Sequence, residues 1–383
     1  MLAIIRRGLA AAFVTLVLSA CQVIPDAGTP APPPPPPPRA EGPTDDLPTD
    51  TGRHRVALLV PLSGSNAEVG RSIANATTMA LLDTSAENLR ITTYDTATGA
   101  GTAAARAISD GNKLILGPLL RDDVSAVVGQ ARPADVPLIS FSNDSSVAAP
   151  DVFVMGHMPE QSVARTVGYA ARQGARRFAA LVPTGEYGNR ASDALTQAVT
   201  RAGGTVVASE RYDRGNTSII SAAERLTATG GFDAVLIAEG PRLAAMAAGA
   251  LANATERPKL LGTELWSGEA SIANASALRG AWFSAVSDDR YRQFVDSYQG
   301  RFGEQPYRIA TLGYDAVLLA LRITRDWQPG TAFPTGLMTE EGGFLGLDGP
   351  FRFTRDGLGQ RAMEVRQVGN GTISVVDPAP PQF

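Results

Sequence analysis

Short apolar runs alternate with longer amphipathic stretches over much of the chain. The apolar runs are typical of buried parallel strands and cover residues 56–62, 89–94, 114–116, 137–141, 178–182, 205–208, 234–238 and 259–261. The amphipathic stretches have helical length and cover residues 68–82, 102–109, 122–131, 159–173, 190–202, 218–228 and 242–253. This alternation predicts an α/β protein in which helices cover both faces of open parallel sheets.

The pattern changes towards the end of the chain. Two stretches of helical length, 288–302 and 309–327, precede the apolar runs 350–353 and 361–368. The pair Asp356-Gly357 separates those runs, and Asp-Gly between apolar strands predicts a β-hairpin. The chain after residue 53 is long enough to form two lobes with separate cores.

The first twenty residues have the order of a secretory signal peptide: Arg6 and Arg7, then an apolar run, then small residues. The next residue, Cys21, is the single cysteine of the 383-residue chain, so it has no partner for an intramolecular disulfide. The run Leu-Ser-Ala-Cys at 18–21 resembles the bacterial lipobox, and this resemblance implies that Cys21 is acylated and becomes the mature N-terminus. Two or more acyl chains hold a protein stably to a membrane. An ordinary cleavable signal with an incidental cysteine is the alternative.

Residues 21–53 form the predicted linker. An unbroken run of seven prolines at 32–38 favours a stiff polyproline II rod, and acidic and polar residues follow it. We interpret this segment as a disordered spacer; a recognition site for a proline-binding domain is the alternative. The residue after the cysteine is Gln22 rather than Asp, which in Gram-negative lipoproteins resembles the pattern for release to the inner leaflet of the outer membrane.

The composition is that of an ordinary soluble globular protein, with 44% hydrophobic residues, 19% charged residues and a net charge of −4. This balance gives no electrostatic footprint for nucleic acid. The two histidines, His54 and His157, have no Asp or Cys at ligand spacing, and the usual hydrolase, P-loop and zinc motifs are missing. A partial dinucleotide fingerprint at 99–104 follows the second strand rather than the first, so we interpret it as a flexible turn. We expect no catalysis, no cofactor and no metal.

Seven segments occur in the order that they have in the type I periplasmic-binding fold, and they resemble its branched-chain amino-acid-binding branch. The segments are VALLVPLSGSNAEVGRSIANATTMAL (56–81), LILGPLL (114–120), PLISFSND (137–144), RFAALVPTGEYGNRASDAL (177–195), FDAVLIAEG (232–240), YRQFVDSYQGRFGEQPYRIATLGYDAVLLAL (291–321) and GLDGPFRF (346–353). The resemblance implies two doubly wound parallel-sheet lobes joined by three crossovers, with a ligand cleft between them.

The resemblance also implies where the lobes divide within a binding domain at 54–378. The first lobe is expected at about 54–158 and 283–345, and the second at about 159–282 and 346–378. Open α/β sheets bind ligands beyond the carboxyl ends of their strands, so the cleft should lie between those ends of the two sheets.

By position in the resembling family, the candidate cleft residues are Arg121, Ser142, Asn143, Asp144, Tyr187, Glu239 and Glu264. Tyr187 matches a tyrosine that closes over the ligand, and Glu264 matches an acidic residue that pairs with the ligand's ammonium. The family's aromatic residue is missing around Glu239. Packing and surface roles are the alternatives for Tyr187 and Glu264.

The loop after the third strand departs from the family, because Asp122 and Asp123 replace its Ser/Thr-rich pattern. A ligand carboxylate ~4 Å from a like charge is repelled by about 4 kcal/mol at an effective dielectric near 20. Arg121 neutralises one of these charges at most. The alternative is that Asp122 and Asp123 simply cap a helix N-terminus. The altered loop predicts weak binding of leucine, isoleucine and valine.

Two functions are compatible with these features. The favoured one is a non-catalytic outer-membrane lipoprotein that activates penicillin-binding proteins, the synthases of peptidoglycan, since the same fold occurs in such activators. The alternative is the solute-binding lipoprotein of an ABC importer for amino acids or related compounds. Trp266 follows a strand closely enough to lie at the cleft rim and contact a partner protein; packing beneath its loop is the other possibility.

Overall fold

The computed structural model describes residues 52–254 and 257–381. The predicted signal peptide, Cys21 and almost all of the predicted linker lie outside these residues. The strands are β1 (His54–Val60), β2 (Leu89–Asp95), β3 (Leu114–Leu116), β4 (Leu138–Ser140), β5 (Val152–Val154), β6 (Arg177–Pro183), β7 (Thr205–Tyr212), β8 (Ala234–Ile237), β9 (Lys259–Leu261), β10 (Trp282–Ala285), β11 (Phe344–Gly346), β12 (Gly349–Phe353), β13 (Gly359–Arg361), β14 (Glu364–Val368) and β15 (Ile373–Asp377).

The α-helices of the described residues are α1 (Ala67–Asp83), α2 (Ala100–Ser109), α3 (Arg121–Ala131), α4 (Pro159–Arg172), α5 (Glu186–Arg201), α6 (Ser218–Thr229), α7 (Pro241–Leu251), α8 (Ala270–Asn274), α9 (Tyr291–Phe302) and α10 (Thr311–Ile323). Two of them begin with a proline, Pro159 and Pro241. The first helical position suits proline because its backbone N–H has no partner within the helix. Helix α9 ends at Gly303, whose φ of 75° gives the left-handed C-terminal cap that glycine adopts most easily.

The first lobe is built on a parallel sheet with strand order β2-β1-β3-β4-β5. Side chains alternate between its two faces, as the period of a strand requires. Val56 and Leu58 of β1 pack in a core with residues of α1 and α10, whereas Ala57 and Leu59 pack on the other face with residues of α2 and α3. The predicted doubly wound arrangement is therefore present.

The second lobe is built on a larger sheet with strand order β15-β14-β10-β9-β8-β6-β7. Strands β6 to β10 pair in parallel, and β14 and β15 are added antiparallel at one edge. Two core clusters cover its faces, one containing α6 and α7 and the other α4 and α5. Both lobes thus have the α/β layers that the alternation predicts.

The chain passes between the lobes three times, after β5, after β10 and after β13. The predicted hairpin is confirmed in part: β12 pairs antiparallel with β13, and Gly357 in the turn has a φ of 81°. The second predicted strand, 361–368, is divided, because β13 remains in the small sheet with β11 and β12 while β14 joins the second lobe.

The expected lobe boundaries are wrong at two places. Phe283 was expected to open the second segment of the first lobe, but it lies in β10 and packs in the core of the second lobe. Phe351 and Phe353 were expected in the second lobe, but they pack in the core of the first lobe with Phe153. The third crossover therefore follows β13 rather than residue 345, since these two aromatic side chains complete the first core.

Candidate functional site

The two lobes meet at the loops that follow their parallel strands. Arg190 on α5 of the second lobe donates from Nη2 to the backbone oxygen of Asn143, which follows β4 of the first lobe, at 2.5 Å. Ser145 of the same loop donates to Oε1 of Glu160 on α4 at 3.2 Å. The candidate cleft is therefore the space between the carboxyl ends of the two sheets, as expected for open α/β sheets.

Tyr187 and Glu264 are in direct contact at this point. The Tyr187 hydroxyl donates to Oε1 of Glu264 at 3.0 Å and lies 2.9 Å from Oγ1 of Thr263. Close packing sets the position of Tyr187, because an added Cβ at the next residue, Gly188, would lie 1.8 Å from the Pro183 oxygen. The structure brings together these two residues of the seven candidates as a hydrogen-bonded pair.

Glu264 is a buried carboxyl group with an incomplete set of hydrogen bonds. Only 8% of the residue is exposed, and its Oε2 is buried without a hydrogen-bond partner. Burial raises the pKa of Glu264 from 4.5 to about 7, because desolvation disfavours the charged form. Burial, and then the charge of Glu264, also raises the pKa of Tyr187 well above its usual value. A cation that reached this carboxyl would favour its ionised form.

Arg190 and Glu160 form a two-pronged ion pair beside Glu264. The Nε and Nη2 atoms of Arg190 lie 2.7 Å from Oε1 and Oε2 of Glu160, respectively. Their charges act on Glu264 in opposite directions, Glu160 raising its pKa and Arg190 lowering it. Sequence reasoning missed both residues, since neither has a local signal beyond its place near the start of α4 or α5.

The polar side chains Ser142 and Asp144 of the first-lobe loop after β4 find hydrogen-bond and ion-pair partners within the first lobe. Asp144 accepts from the backbone N–H of Ser146 at 2.8 Å, and its Oδ2 lies 2.9 Å from Nε of Arg121. Ser142 is buried, and its Oγ accepts from the Asp144 N–H at 3.1 Å. Although burial raises the pKa of Asp144, the bonds from Ser146 and the charges of Arg190 and Arg121 hold it below its usual value.

Arg121 pairs with Asp144 rather than with Asp122 or Asp123. The two adjacent aspartates lie in the first turn of α3, as the helix-terminus interpretation expects, where carboxylates interact favourably with the helix dipole. They do not supply a side-chain cap, because the N-cap residue is Leu120 and no side-chain hydrogen bond caps this helix. That this loop repels a ligand carboxylate stays a prediction.

Glu239 is held by three donors on the second-lobe side. The Tyr212 hydroxyl and Nε of Arg214 donate to its Oε2 at 2.9 and 2.8 Å, and the N–H of Gly240 donates to Oε1 at 2.8 Å. Arg214 also lies over the ring of Tyr187, with its Cζ 5.1 Å from the ring centroid. Glu239 therefore fixes Arg214 beside the Tyr187–Glu264 pair.

Trp266 does not lie at the surface, so a place on the cleft rim, the less favoured of its two interpretations, is wrong. It is 0% exposed, packs against Phe283 with ring centroids 5.5 Å apart, and donates from Nε1 to the Glu239 oxygen at 2.8 Å. The chain turns tightly above it, because a Cβ at Gly262 would lie 2.5 Å from its ring. The alternative, packing beneath its loop, is the one that the structure shows.

A second group of buried charges connects the crossovers. Asp348, in the turn between β11 and β12, is fully buried and accepts from Nη1 of Arg308 at 2.8 Å. Its other oxygen lies 2.9 Å from Nε2 of His157, which follows β5 at the first crossover. Burial raises the pKa of Asp348, but Arg308 and His157 outweigh it and hold that pKa well below its usual value. Burial lowers the pKa of His157 although Asp348 opposes the shift.

The described residues contain no group of three or more His, Cys, Asp or Glu side chains placed to hold a metal ion. A search of the same residues for a helix long and apolar enough to cross a membrane also found none. The features that the structure does define are two parallel-sheet lobes, three connecting segments, and polar side chains that meet between the lobes.

These features define the class of two-lobed binding proteins. Residues 54–372 match the periplasmic binding protein family, and the chain belongs to that family. Among curated proteins, an uncharacterized protein of Rickettsia prowazekii (strain Madrid E) is 26% identical over 174 residues, which are 45% of this chain and 47% of that protein. The alignment thus spans about half of each chain.

Solved structures show the same fold over most of the chain. A leucine-binding protein from Thermotoga maritima has a TM-score of 0.65 and 20% identity, covering 86% of this chain and 99% of the other. A branched-chain amino acid substrate-binding protein from Streptococcus pneumoniae, in complex with isoleucine, has a TM-score of 0.66 and 17% identity over 86% of this chain and 100% of the other. An ABC transporter solute-binding protein from R. palustris, in complex with benzoate, has a TM-score of 0.64 and 19% identity over 87% and 98%. The type I periplasmic-binding fold expected from the sequence is confirmed.

Proposed function

We propose that this protein is the solute-binding component of an ABC importer and that it binds a small ligand carrying a protonated amine. The observation that carries this proposal is the buried Glu264 carboxyl at the junction of the lobes, with Tyr187 on one oxygen and no partner on the other. Membership of the periplasmic binding protein family supports the binding function, and the similar structures carry the names of transporter binding proteins.

An amine is the ligand group that suits this carboxyl. A buried carboxylate without a compensating cation is unfavourable, which is why burial raises the pKa of Glu264 to about 7. A ligand ammonium supplies both the missing hydrogen bond and the opposite charge. Charge-assisted hydrogen bonds contribute about 1.5–3 kcal/mol each, which makes Glu264 the principal determinant of amine recognition.

This proposal reverses the preference drawn from the sequence for a penicillin-binding protein activator. The similar solved structures bear names of amino-acid and aromatic-acid binders. The residue chosen for contact with a partner synthase, Trp266, is buried. What still favours an activator is the spacer and the outer-membrane pattern at Gln22, which lie outside the described residues. Enhanced glycan polymerisation by a bifunctional penicillin-binding protein on addition of this protein would restore that function.

The anchor remains part of the proposal. We infer that Cys21 carries lipid and holds the binding domain in the periplasm, with the proline-rich segment as a spacer. The family supports a periplasmic location. An importer receptor must reach a permease in the inner membrane, so fractionation that places the protein in the inner membrane supports transport, and an outer-membrane location supports the activator.

Isothermal titration calorimetry on the purified full-length protein tests the binding function. The ligands are the twenty common amino acids, short peptides, benzoate and simple amines, and at least one amine should bind with a micromolar or lower dissociation constant. Glu264→Gln and Tyr187→Phe should each weaken that binding by about 10-fold or more.

Tyr94→Phe is the matched control. It removes a buried tyrosine hydroxyl that donates to a carboxylate, Asp110, at 2.8 Å, but in the first lobe away from the cleft loops. This variant should bind like the wild type. If no ligand of the panel binds, or if Tyr94→Phe weakens binding as much as Tyr187→Phe does, the proposed site is wrong.

A further inference from the structure

Arg214 places a positive charge with unused hydrogen-bond donors at the same site. It follows β7, and its side chain is 44% exposed. Only Nε is engaged, with Glu239; within the described part of the chain, no hydrogen bond uses its two terminal nitrogens. Arginine offers five N–H donors in a planar fork that suits carboxylates. The contact with Glu239 and the stacking over Tyr187 orient the guanidinium group and leave its terminal N–H donors available.

Tyr187 connects Arg214 to Glu264. The ring face of Tyr187 contacts the guanidinium of Arg214, and its hydroxyl contacts the carboxyl of Glu264. A positive group with free donors and a buried carboxyl with a free acceptor therefore lie at the ring face and at the hydroxyl of one tyrosine side chain. One small molecule with charges of both signs fits this arrangement, with its amine at Glu264 and its anionic group at Arg214.

We propose that Arg214 binds the carboxylate of the ligand whose amine Glu264 binds, so that the second lobe recognises both charges of an amino acid or short peptide. This inference rests on the proposed solute-binding function and names its ligand class. It assigns to Arg214 a task that the resembling amino-acid-binding proteins give to hydroxyl residues of the first lobe, a pattern that this chain lacks after β3.

Arg121 is the competing anion site, and its surroundings are less suitable. Like Arg214, it is paired through Nε with a buried carboxylate, here that of Asp144. However, two more carboxylates, Asp122 and Asp123, follow it directly. Each of these carboxylates repels an incoming anion. Arg214 has a sequence neighbour of the same kind, Asp213, but that carboxylate accepts the Gly215 N–H at 2.8 Å within its own turn.

The test combines a change in the ligand with a change in the protein. Calorimetry on the full-length protein first identifies the amino acid or dipeptide of the panel that binds most tightly. Its dissociation constant and that of its C-terminal amide are then measured with wild type and with Arg214→Gln. We expect either single change to weaken binding by about 10- to 100-fold, the range for one charge-assisted bond. Both changes together should weaken it no more than the stronger single change.

Three further variants keep this result interpretable. Arg225→Gln is the matched control, because Arg225, on α6 of the second lobe, is also about half exposed and donates from Nε to a carboxylate, that of Glu210. It should change affinity by less than about 3-fold, with amidation of the ligand still weakening binding. Arg121→Gln tests the competing anion site, and amidation of the ligand should still weaken its binding to this variant. Arg214→Lys retains a point charge without the fork, so it should bind the amino acid more tightly than Arg214→Gln does. Because the non-additivity is measured on ligand pairs, a general loss of folding in one variant does not imitate it.

Different experimental outcomes would overturn this inference and the proposed function. If amidation and Arg214→Gln act additively, or if amidation is coupled to Arg121 instead, the inference is overturned while solute binding stands. The same holds if benzoate or a simple amine binds but no amino acid or peptide of the panel does. If none of these probes binds, the inference and the proposed function fail together.

Discussion

Replacing Glu264 by Gln should stabilise the unliganded protein at alkaline pH while it weakens amine binding. The pKa of Glu264 is about 7 in the folded protein against a reference value of 4.5. Between these values the folded carboxyl keeps a proton that the unfolded chain has released. Stability from this group is therefore fully present below about pH 4.5, falls as the pH rises towards 7, and stays low above it. The neutral amide of the variant has no such dependence.

The magnitude follows from the two pKa values. At ~1.36 kcal/mol per pKa unit, the ionised carboxyl costs the folded state about 3 kcal/mol at pH 8. Unfolding entropy near ~2.1 cal/mol/K per residue, over roughly 330 folded residues, converts this cost into about 4–5 °C in Tm. Between pH 5 and pH 8 the stability difference between variant and wild type should change by about 2–3 kcal/mol in favour of the variant.

Urea unfolding at pH 5 and pH 8 measures this change. Other ionisable groups alter both proteins equally, so only the difference between the two proteins is diagnostic. Glu186→Gln is the control, because Glu186 is an exposed glutamate of α5 next to Tyr187; it should follow the wild type within about 0.5 kcal/mol at both pH values. If the Glu264→Gln and wild-type stabilities stay parallel from pH 5 to pH 8, Glu264 is not a buried carboxyl with a raised pKa.

Three further outcomes can be measured directly. Trp266→Ala should destabilise the protein by about 3–5 kcal/mol in urea unfolding, since the side chain is fully buried; a loss below about 1 kcal/mol would contradict this. Asp348→Asn should cost about 3–5 kcal/mol because it removes the carboxylate that lies nearest to the buried Arg308, whereas Asp151→Asn at an exposed pair should cost less than about 1 kcal/mol. Cys21→Ser should release the protein from the membrane fraction, and unchanged membrane partitioning would refute the anchor.

The parts of the fold that the sequence predicts are those with a strong local pattern. The buried strands of both parallel sheets appear as uninterrupted apolar runs, and β3 and β9 begin and end where the runs at 114–116 and 259–261 do. Strands β5 and β10 escaped prediction although they are about as short as β3 and β9, because a run of three or four residues has no period that distinguishes a strand from a loop. Strand β15 escaped for another reason, since it is an edge strand with partly exposed side chains.

The residues of the candidate site likewise divide into those that the sequence indicates and those that only the structure shows. Tyr187 and Glu264 stand out because turn-forming glycines precede them and because they match a family pattern. The ion pair of Arg190 with Glu160 joins residues 30 positions apart, and His157 meets Asp348 across 191 positions. Such contacts depend on how the elements pack, and a charged residue carries no local mark of its partner. Long-range charge pairs therefore had to come from the structure.

The distribution of charge between the lobes bears on how a ligand acts. Asp348, in the turn between β11 and β12, is compensated by Arg308 and by contacts with Thr311 and with His157 at the first crossover, and these contacts do not depend on a ligand. Between the lobes, hydrogen bonds run from Arg190 to Asn143, from Ser145 to Glu160 and from Arg308 to Ser267. Single hydrogen bonds contribute only about 0.5–1.5 kcal/mol each. A ligand bound by the second lobe alone would leave the equilibrium between separated and touching lobes unchanged. If the proposed ligand favours contact between the lobes, the part of it beyond its two charged groups must therefore contact the first lobe.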